Sequence, residues 1–457
     1  MVGIFMGSVE LPPAKISRKI PNASDTTIRT YSAISLFKVI FIRALGYVRL
    51  PSATGYSGLC TLFGSLHIST PSRMSSLFAP PPLPATKLGR HRQLAPIAGL
   101  HVSPICLGAM SIGDKWSEFG MGAMNKEDSF KLLDAFYKAG GNFIDTANSY
   151  QQESSEEFLG EWMEQRSIRD QIVLATKYTT DLKLGHPNVG QHTQYVGNNI
   201  KSMHLSVEAS LKKLRTDYID ILYVHWWDFT TSIEEVMNGL HNLVVQGKVL
   251  YLGVSDTPAW VVAKANTYAK DHGKTPFVVY QGAWSILQRD LEREILPMAR
   301  AEGMAIAPWN VLAAGKIRTD AEEQRRRETG EKGRTIFSPN WERTEDERKV
   351  CLALEKVAEE VGTKSITAVA IAYVMQKAPY VFPIVGGRKV EHLHQNIEAL
   401  SISLSTEQIK YLESILPFDL GFPSAQIGTG EDYVSYFKLS GHFDKWPRQE
   451  VIRPTKD

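Results

Sequence analysis

The sequence predicts an α/β chain closed into a (β/α)8 TIM barrel with a short N-terminal hairpin, a long charged rim loop and a C-terminal tail. Three observations carry that expectation. Apolar, β-branched runs alternate with helical patterns through about eight units, which argues for a parallel sheet covered on both faces. No Gly-x-Gly-x-x-Gly follows an early strand, so the phosphate fingerprint of a dinucleotide-binding Rossmann domain is missing. Successive strand runs also end in groups fit for proton chemistry: Asp145 with Tyr150 five residues on, then Lys177, then His225. A parallel barrel collects such strand ends at one rim.

The elements follow in order. Leu94 to Ile105 suggests a hairpin with its turn near Ala98-Gly99. Residues 126–139 carry helical apolar spacing and stop at Gly140-Gly141. Strand 143–146 follows, then helix 154–165, with Ser154 or Ser155 as its cap and acids in its first turn. Strand 172–177, helix 197–213, strand 219–224, helix 232–246, strand 249–254 and helix 258–271 continue the series. Strand 277–281, helix 289–302 and strand 304–309 come next. Helices near 346–361 and 366–377, strand 381–385 and helix 389–400 close it. Arg318 to Lys349 interrupts the pattern with nine basic and nine acidic residues, and reads as a solvated loop or a lid at the rim.

Composition sets the class. The 457 residues are 43% hydrophobic and 22% charged, with net charge +2, an ordinary globular balance. That balance gives no reason to expect nucleic acid or a membrane surface as partner. Cys60, Cys106 and Cys351 are too few and too scattered for a disulfide framework or a metal site, which suits a reducing compartment. No apolar run reaches the ~20 residues of a bilayer span. The first 73 residues differ: they hold eight Lys/Arg against Glu10 and Asp25, and many Ser and Thr. Residues 1–87 read as a disordered extension, either a transit segment or a start placed upstream of Met74. Residues 88–420 form the barrel and 421–457 the tail. The expected location is the cytoplasm, or the mitochondrion if residues 1–73 are a genuine transit segment.

The chemistry sits at the strand ends. A free tyrosine has a pKa of ~10 and is a poor acid at neutral pH. An ammonium beside Tyr150 would lower it, and Lys177 is the candidate, with Asp145 pairing the lysine. His225 offers a ring N–H to a substrate oxygen. Together these suit reduction of a carbonyl. Later strand ends add Ser255, Asp256 and Gln281 as polar groups and Trp309 as a flat face for stacking. Gly386-Gly387-Arg388-Lys389 before a helix reads as an anion site. Trp116, Phe119 and Trp226 are candidate aromatic walls for an aryl substrate.

These residues carry a resemblance. Phe143 to Tyr150, the strand ending in Lys177, Val224-His225, Gly253 to Asp256 and Pro383 to Asn396 resemble the aldo-keto reductases over roughly Leu88 to Leu416. Asp134 to Asn142 and Pro383 to Leu393 are similar to the fungal aryl-alcohol dehydrogenase and norsolorinic acid reductase-like branch. The resemblance implies a catalytic tetrad of Asp145, Tyr150, Lys177 and His225, with Tyr150 the general acid. It implies NADP(H) as cofactor, with Asp145, Ser255, Asp256, Gln281 and Trp309 at the nicotinamide. Asn310, Leu312, Gly315, Lys316 and Arg318 then serve the pyrophosphate loop, and Gly387, Arg388, His392, Gln395 and Asn396 the adenosine and 2′-phosphate. Arg388 is the phosphate partner that favours NADP over NAD. Asp256 departs from the Asn of many relatives.

The implied partner is a small aryl carbonyl or alcohol, with a polyketide intermediate as a candidate, and with a homo-oligomer left open. Two other readings remain: a Schiff-base lyase using Lys177, and a low-turnover reductase-like regulatory protein. Tyr433, Tyr436, Phe437 and Trp446 in the tail are placed either over the site or against a partner subunit.

Overall fold

Eight parallel strands form the central sheet: β3 (Cys106–Gly108), β4 (Phe143–Asp145), β5 (Val173–Tyr178), β6 (Ile219–Val224), β7 (Val249–Ser255), β8 (Phe277–Ala283), β9 (Ala305–Trp309) and β10 (Ile384–Val385). The computed structural model describes residues 79–119, 121–331 and 340–454. The expectations for residues 1–73 lie outside the described residues. Neighbouring strands pair in sequence order from β3 to β9, and β10 pairs with β3. The last gap is bridged by Ile306 and Val381, with the Phe382 N–H donating to Ile306 O at 2.9 Å. The chain is thus a (β/α)8 barrel, and closure removes the exposed sheet edges.

A hairpin, β1 (Arg92–Ala95) and β2 (Ala98–Val102), precedes the barrel. Its turn is Pro96-Ile97, two residues earlier than the glycine suggested. Leu94, Ala95, Ala98 and Val102 pack with Cys106, Phe143, Val173, Ile221 and Phe382, so the hairpin plugs the barrel interior. A second, larger core lies between strands and outer helices.

The outer helices are α1 (Lys126–Lys138), α2 (Ser154–Arg166), α3 (Ile200–Leu214), α4 (Ile233–Val245), α5 (Ala259–Asp271), α6 (Ile295–Glu302), α7 (Asp320–Thr329), α8 (Glu345–Val361), α9 (Ile366–Lys377), α10 (Val390–Ile397) and α11 (Thr406–Ser414). Two short turns, α12 (Ser424–Ile427) and α13 (Ser435–Lys438), lie in the tail. Several starts are fixed by side-chain caps: Asn125, Asn199, Ser232 and Thr344 each accept a backbone N–H.

Two expectations need correction. Neither Ser154 nor Ser155 caps α2; its cap position is Glu153, left-handed at φ 78° with no capping side chain. Ser154 Oγ instead donates to Gln151 O at 3.0 Å, and Ser155 Oγ to Ala109 O at 3.0 Å, so both hydroxyls are spent tethering loops. The charged stretch is not simply a solvated loop. It contains α7, capped by Thr319, and Glu323 gathers Arg318, Arg327 and Arg343 around one carboxylate.

Candidate active site

Alternate strand residues point into the barrel. Cys106, Phe143, Val173, Ala175, Ile221, Tyr223, Val279, Ala305 and Ala307 make the inner core, while Leu107, Ile144, Leu174, Leu222, Ile306 and Tyr280 join the outer one. Period-2 alternation then aims the residues at the strand ends inward too: Asp145, Lys177, Ser255, Gln281 and Trp309. His225 continues the phase of Ile221 and Tyr223.

Lys177 is buried, and its ammonium has three hydrogens. One goes to Asp145 Oδ1 at 2.6 Å and one to Thr146 O at 2.7 Å, and the ammonium lies 5.0 Å from the centre of the Tyr150 ring, so its charge acts on the phenol. Gln281 Nε2 donates to the other Asp145 oxygen at 2.9 Å. The Tyr150 and His225 rings meet edge to face, 5.9 Å between centroids, and Trp116 approaches Tyr150 at 6.0 Å. The structure therefore brings Asp145, Tyr150, Lys177 and His225 into one cluster.

Their electrostatics differ from the simplest expectation. Burial pushes the Tyr150 phenol up, and Lys177 pulls it down without cancelling that rise. The phenol is thus held protonated rather than poised near neutrality. Burial lowers Lys177, but Asp145 and Tyr150 outweigh it, so its ammonium is stabilised. Burial, followed by the Lys177 charge, holds His225 well below its usual range, so its imidazole is neutral.

A cavity of about 1380 Å³ runs from this cluster across the rim. Asp145, Tyr150, His225, Ser255, Asp256, Gln281 and Trp309 line one end. Asn310, Leu312, Gly315 and Arg318 line its middle, and Gly387, Arg388, His392, Gln395 and Asn396 the far end. Trp309 Nε1 donates to Asp256 Oδ1 at 3.1 Å, which fixes the indole plane and uses one carboxylate oxygen. Burial pushes the Asp256 carboxyl up to about 6.

Not every expected residue faces the cavity. The Lys316 ammonium is turned to Glu342 O and to Glu347 at 3.2 Å, and Lys316 is absent from the cavity wall. Arg318 does line the cavity, but its guanidinium is spent on Glu323, Gly315 O at 2.8 Å and Trp341 O at 2.8 Å, so it braces the loop. Trp116 lines the cavity, but Phe119, 62% exposed, and Trp226 do not. Sequence reasoning missed Arg325 and Arg326 of α7 and Lys364 to Thr367 at the start of α9, all at the wall. The signal was present for the second group: Ser365 caps α9 through the N–H of Ala368 at 3.1 Å. The tail aromatics Tyr433, Phe437 and Phe443 cluster with each other, away from the cavity wall.

Comparison with known proteins agrees with this geometry. The aldo/keto reductase family model matches residues 104–417. The chain belongs to the aldo/keto reductase family. As such it is an oxidoreductase acting on alcohol and carbonyl groups. The reductase is 68% identical to an aryl-alcohol dehydrogenase (NADP+) of Phanerodontia chrysosporium, over 83% of this chain and 100% of that one. It is 53% identical to norsolorinic acid reductase A of Aspergillus parasiticus, over 75% of this chain and 85% of the relative. An aldo-keto reductase of Aspergillus calidoustus is also 53% identical, over 79% and 90%.

Proposed function

We propose that the protein is an NADP(H)-dependent aryl-alcohol dehydrogenase and carbonyl reductase, with Tyr150 as general acid. The observation that carries this is the buried Asp145–Lys177 pair against the Tyr150 ring and beside a neutral His225, at the end of a long rim cavity. The donor set fits a dinucleotide. An indole face and amide and hydroxyl groups stand at the reacting end, and glycines with the exposed cation Arg388 stand at the other. The Phanerodontia relative, named for the same cofactor and substrate class, supports the reading.

When bound, the cofactor supplies or accepts the hydride. The chain's own groups manage the oxygen. Tyr150 and His225 both donate hydrogen bonds to a carbonyl oxygen between them, stabilising the charge that develops there. Tyr150 passes its proton to that oxygen, and Lys177 stabilises the phenolate left behind. In the oxidative direction Tyr150 takes the proton back. Trp116 beside Tyr150 gives an aromatic wall suited to aryl substrates, polyketide-derived ones included.

A Schiff-base role for Lys177 fits poorly. Its amine is held protonated by Asp145 and Thr146 O and is 1% exposed, whereas a nucleophilic lysine needs a free amine. The test is NADPH oxidation against a panel of aryl and aliphatic aldehydes and ketones. Wild-type protein should consume NADPH with aryl aldehydes, and Tyr150→Phe should lose on the order of 10²–10⁴-fold in kcat while binding NADPH normally. Undiminished turnover in Tyr150→Phe defeats the assignment. NADPH binding without turnover across the panel would favour the low-turnover regulatory reading.

A further inference from the structure

We infer that Thr180, itself held by the indole of Trp226, fixes His225 in the tautomer that carries its proton on Nε2, and is thereby a positioning residue for the substrate oxygen. The inference rests on the function proposed above.

Thr180 Oγ1 lies 3.3 Å from His225 Nδ1. Trp226 Nε1 donates to the same Oγ1 at 3.0 Å. An indole nitrogen can only donate, so Trp226 takes one lone pair of the hydroxyl, and among the described residues His225 Nδ1 is the one acceptor within reach of the hydroxyl hydrogen, which the opposite tautomer would leave without a partner. A neutral imidazole has one donor nitrogen and one acceptor nitrogen. With Nδ1 accepting from Thr180, Nε2 is the donor, and it is the nitrogen left for the cavity that His225 lines. The opposite tautomer would aim a lone pair at a carbonyl oxygen. Neutrality alone does not select between the two; the Thr180 contact does.

The surrounding chain is built to hold this contact. Thr179 sits at φ 105°, a conformation unfavourable for a β-branched residue. Its Oγ1 accepts from the His225 N–H at 3.3 Å and from Asn198 Nδ2 at 2.9 Å. Asn198 Nδ2 also donates to Trp226 O at 3.0 Å, and Asn198 exchanges two hydrogen bonds with Asp228, each 2.8 Å. Asn148 Nδ2 donates to Thr180 O at 3.1 Å. The segments that follow β5 and β6 are therefore tied together on both sides of the Thr180–His225 pair. Strain at Thr179 is compensated by these bonds, and its result is the placement of one hydroxyl. Trp226, expected as a substrate wall, acts here through that hydroxyl.

The experiment is imidazole ¹⁵N NMR on the labelled full chain at pH 8, read beside kcat and KM for an aryl aldehyde. Wild-type His225 should show the Nε2–H tautomer. Thr180→Val should shift it toward Nδ1–H or a mixture and lower kcat up to about tenfold, the worth of one neutral hydrogen bond, with NADPH affinity unchanged. Thr180→Ser should restore both. If Thr180→Val does not fold, Trp226→Phe removes the indole donor instead and should move the tautomer in the same direction. A wild-type spectrum with the proton on Nδ1 overturns the inference, as does a Thr180→Val spectrum unchanged from wild type. Failure of the functional reading looks different: the wild-type chain would then fail to oxidise NADPH with aryl aldehydes, whichever tautomer the His225 spectrum shows.

Discussion

At Tyr150 burial and a neighbouring charge act in opposite directions, and burial prevails. The same cluster shows what Lys177 does for the fold. Lys177→Met leaves Asp145 buried with Gln281 as a partner but no cation, and breaking such a pair costs about 3–5 kcal/mol. The variant should unfold at lower denaturant concentration and also lose turnover, because the Tyr150 phenolate no longer has a cation beside it; a urea melt and kcat measure the two effects separately. Asp256 gives a pH-dependent case. Its folded carboxyl titrates near 6 against 3.8 for a free aspartate, chiefly through burial. A raised folded value means the native state favours the protonated form. The associated stability is present below about pH 4 and is lost as pH rises through about 6. Asp256→Asn mimics the protonated group and tolerates its φ of 40°. In ligand-free protein the variant should therefore melt above wild type at pH 8, and the gap should narrow as pH falls through about 6 and close below about pH 4. A constant offset across that range would refute the assignment.

Among the elements, β6 and β7 show how register places side chains. Tyr223 pairs with Gly253, and a Cβ on Gly253 would stand 2.5 Å from the Tyr223 ring. Gly253→Ala should destabilise by about 1–3 kcal/mol by displacing that ring, measurable as a lower denaturation midpoint. Tyr223→Leu in the same chain should recover part of it. This pairing also marks the boundary of what the sequence reveals. Strands such as β5 were legible because five successive apolar or β-branched residues, Ile172 to Thr176, after polar text have few other readings, and Asp145, Lys177 and His225 stood out because they break such runs at their ends. Gly253 was visible as a residue but not as a cavity for a ring one strand–helix unit away in the sequence. The α2 cap was misread for a related reason: a serine before acids signals a cap locally, yet Ser154 Oγ turns back to Gln151 O and Ser155 Oγ to Ala109 O in a distant loop. The α7 helix was hidden because its stabilisation comes from Glu323, Asp320 and the arginines around them rather than from an apolar stripe. Lys316 read as a cofactor ligand until the fold showed Glu347 beside it.

On the scale of the whole molecule, the cavity joins parts that are far apart in the chain: strand ends from 145 to 309, α7, the start of α9 and the turn before α10. A dinucleotide lying along it would contact all of them at once, and a ligand that binds only the folded state adds stability as RT ln(1 + [L]/Kd). NADP+ at 100 times its Kd should therefore stabilise the protein by about 2.7 kcal/mol. Arg388 is exposed at the far end of the cavity and forms no ion pair among the described residues, so its charge remains available for a 2′-phosphate. Arg388→Ala should weaken NADP+ and leave NAD+ nearly untouched, because only the first carries that phosphate. In thermal-shift titrations the wild-type chain should then show half-maximal stabilisation at much lower NADP+ than NAD+, and Arg388→Ala should bring the two curves together by moving the NADP+ curve alone. If both curves move equally, Arg388 acts on something common to the two dinucleotides, and the selectivity must come from another cation at that end, with Lys389 and Arg326 the nearest candidates by position in the wall.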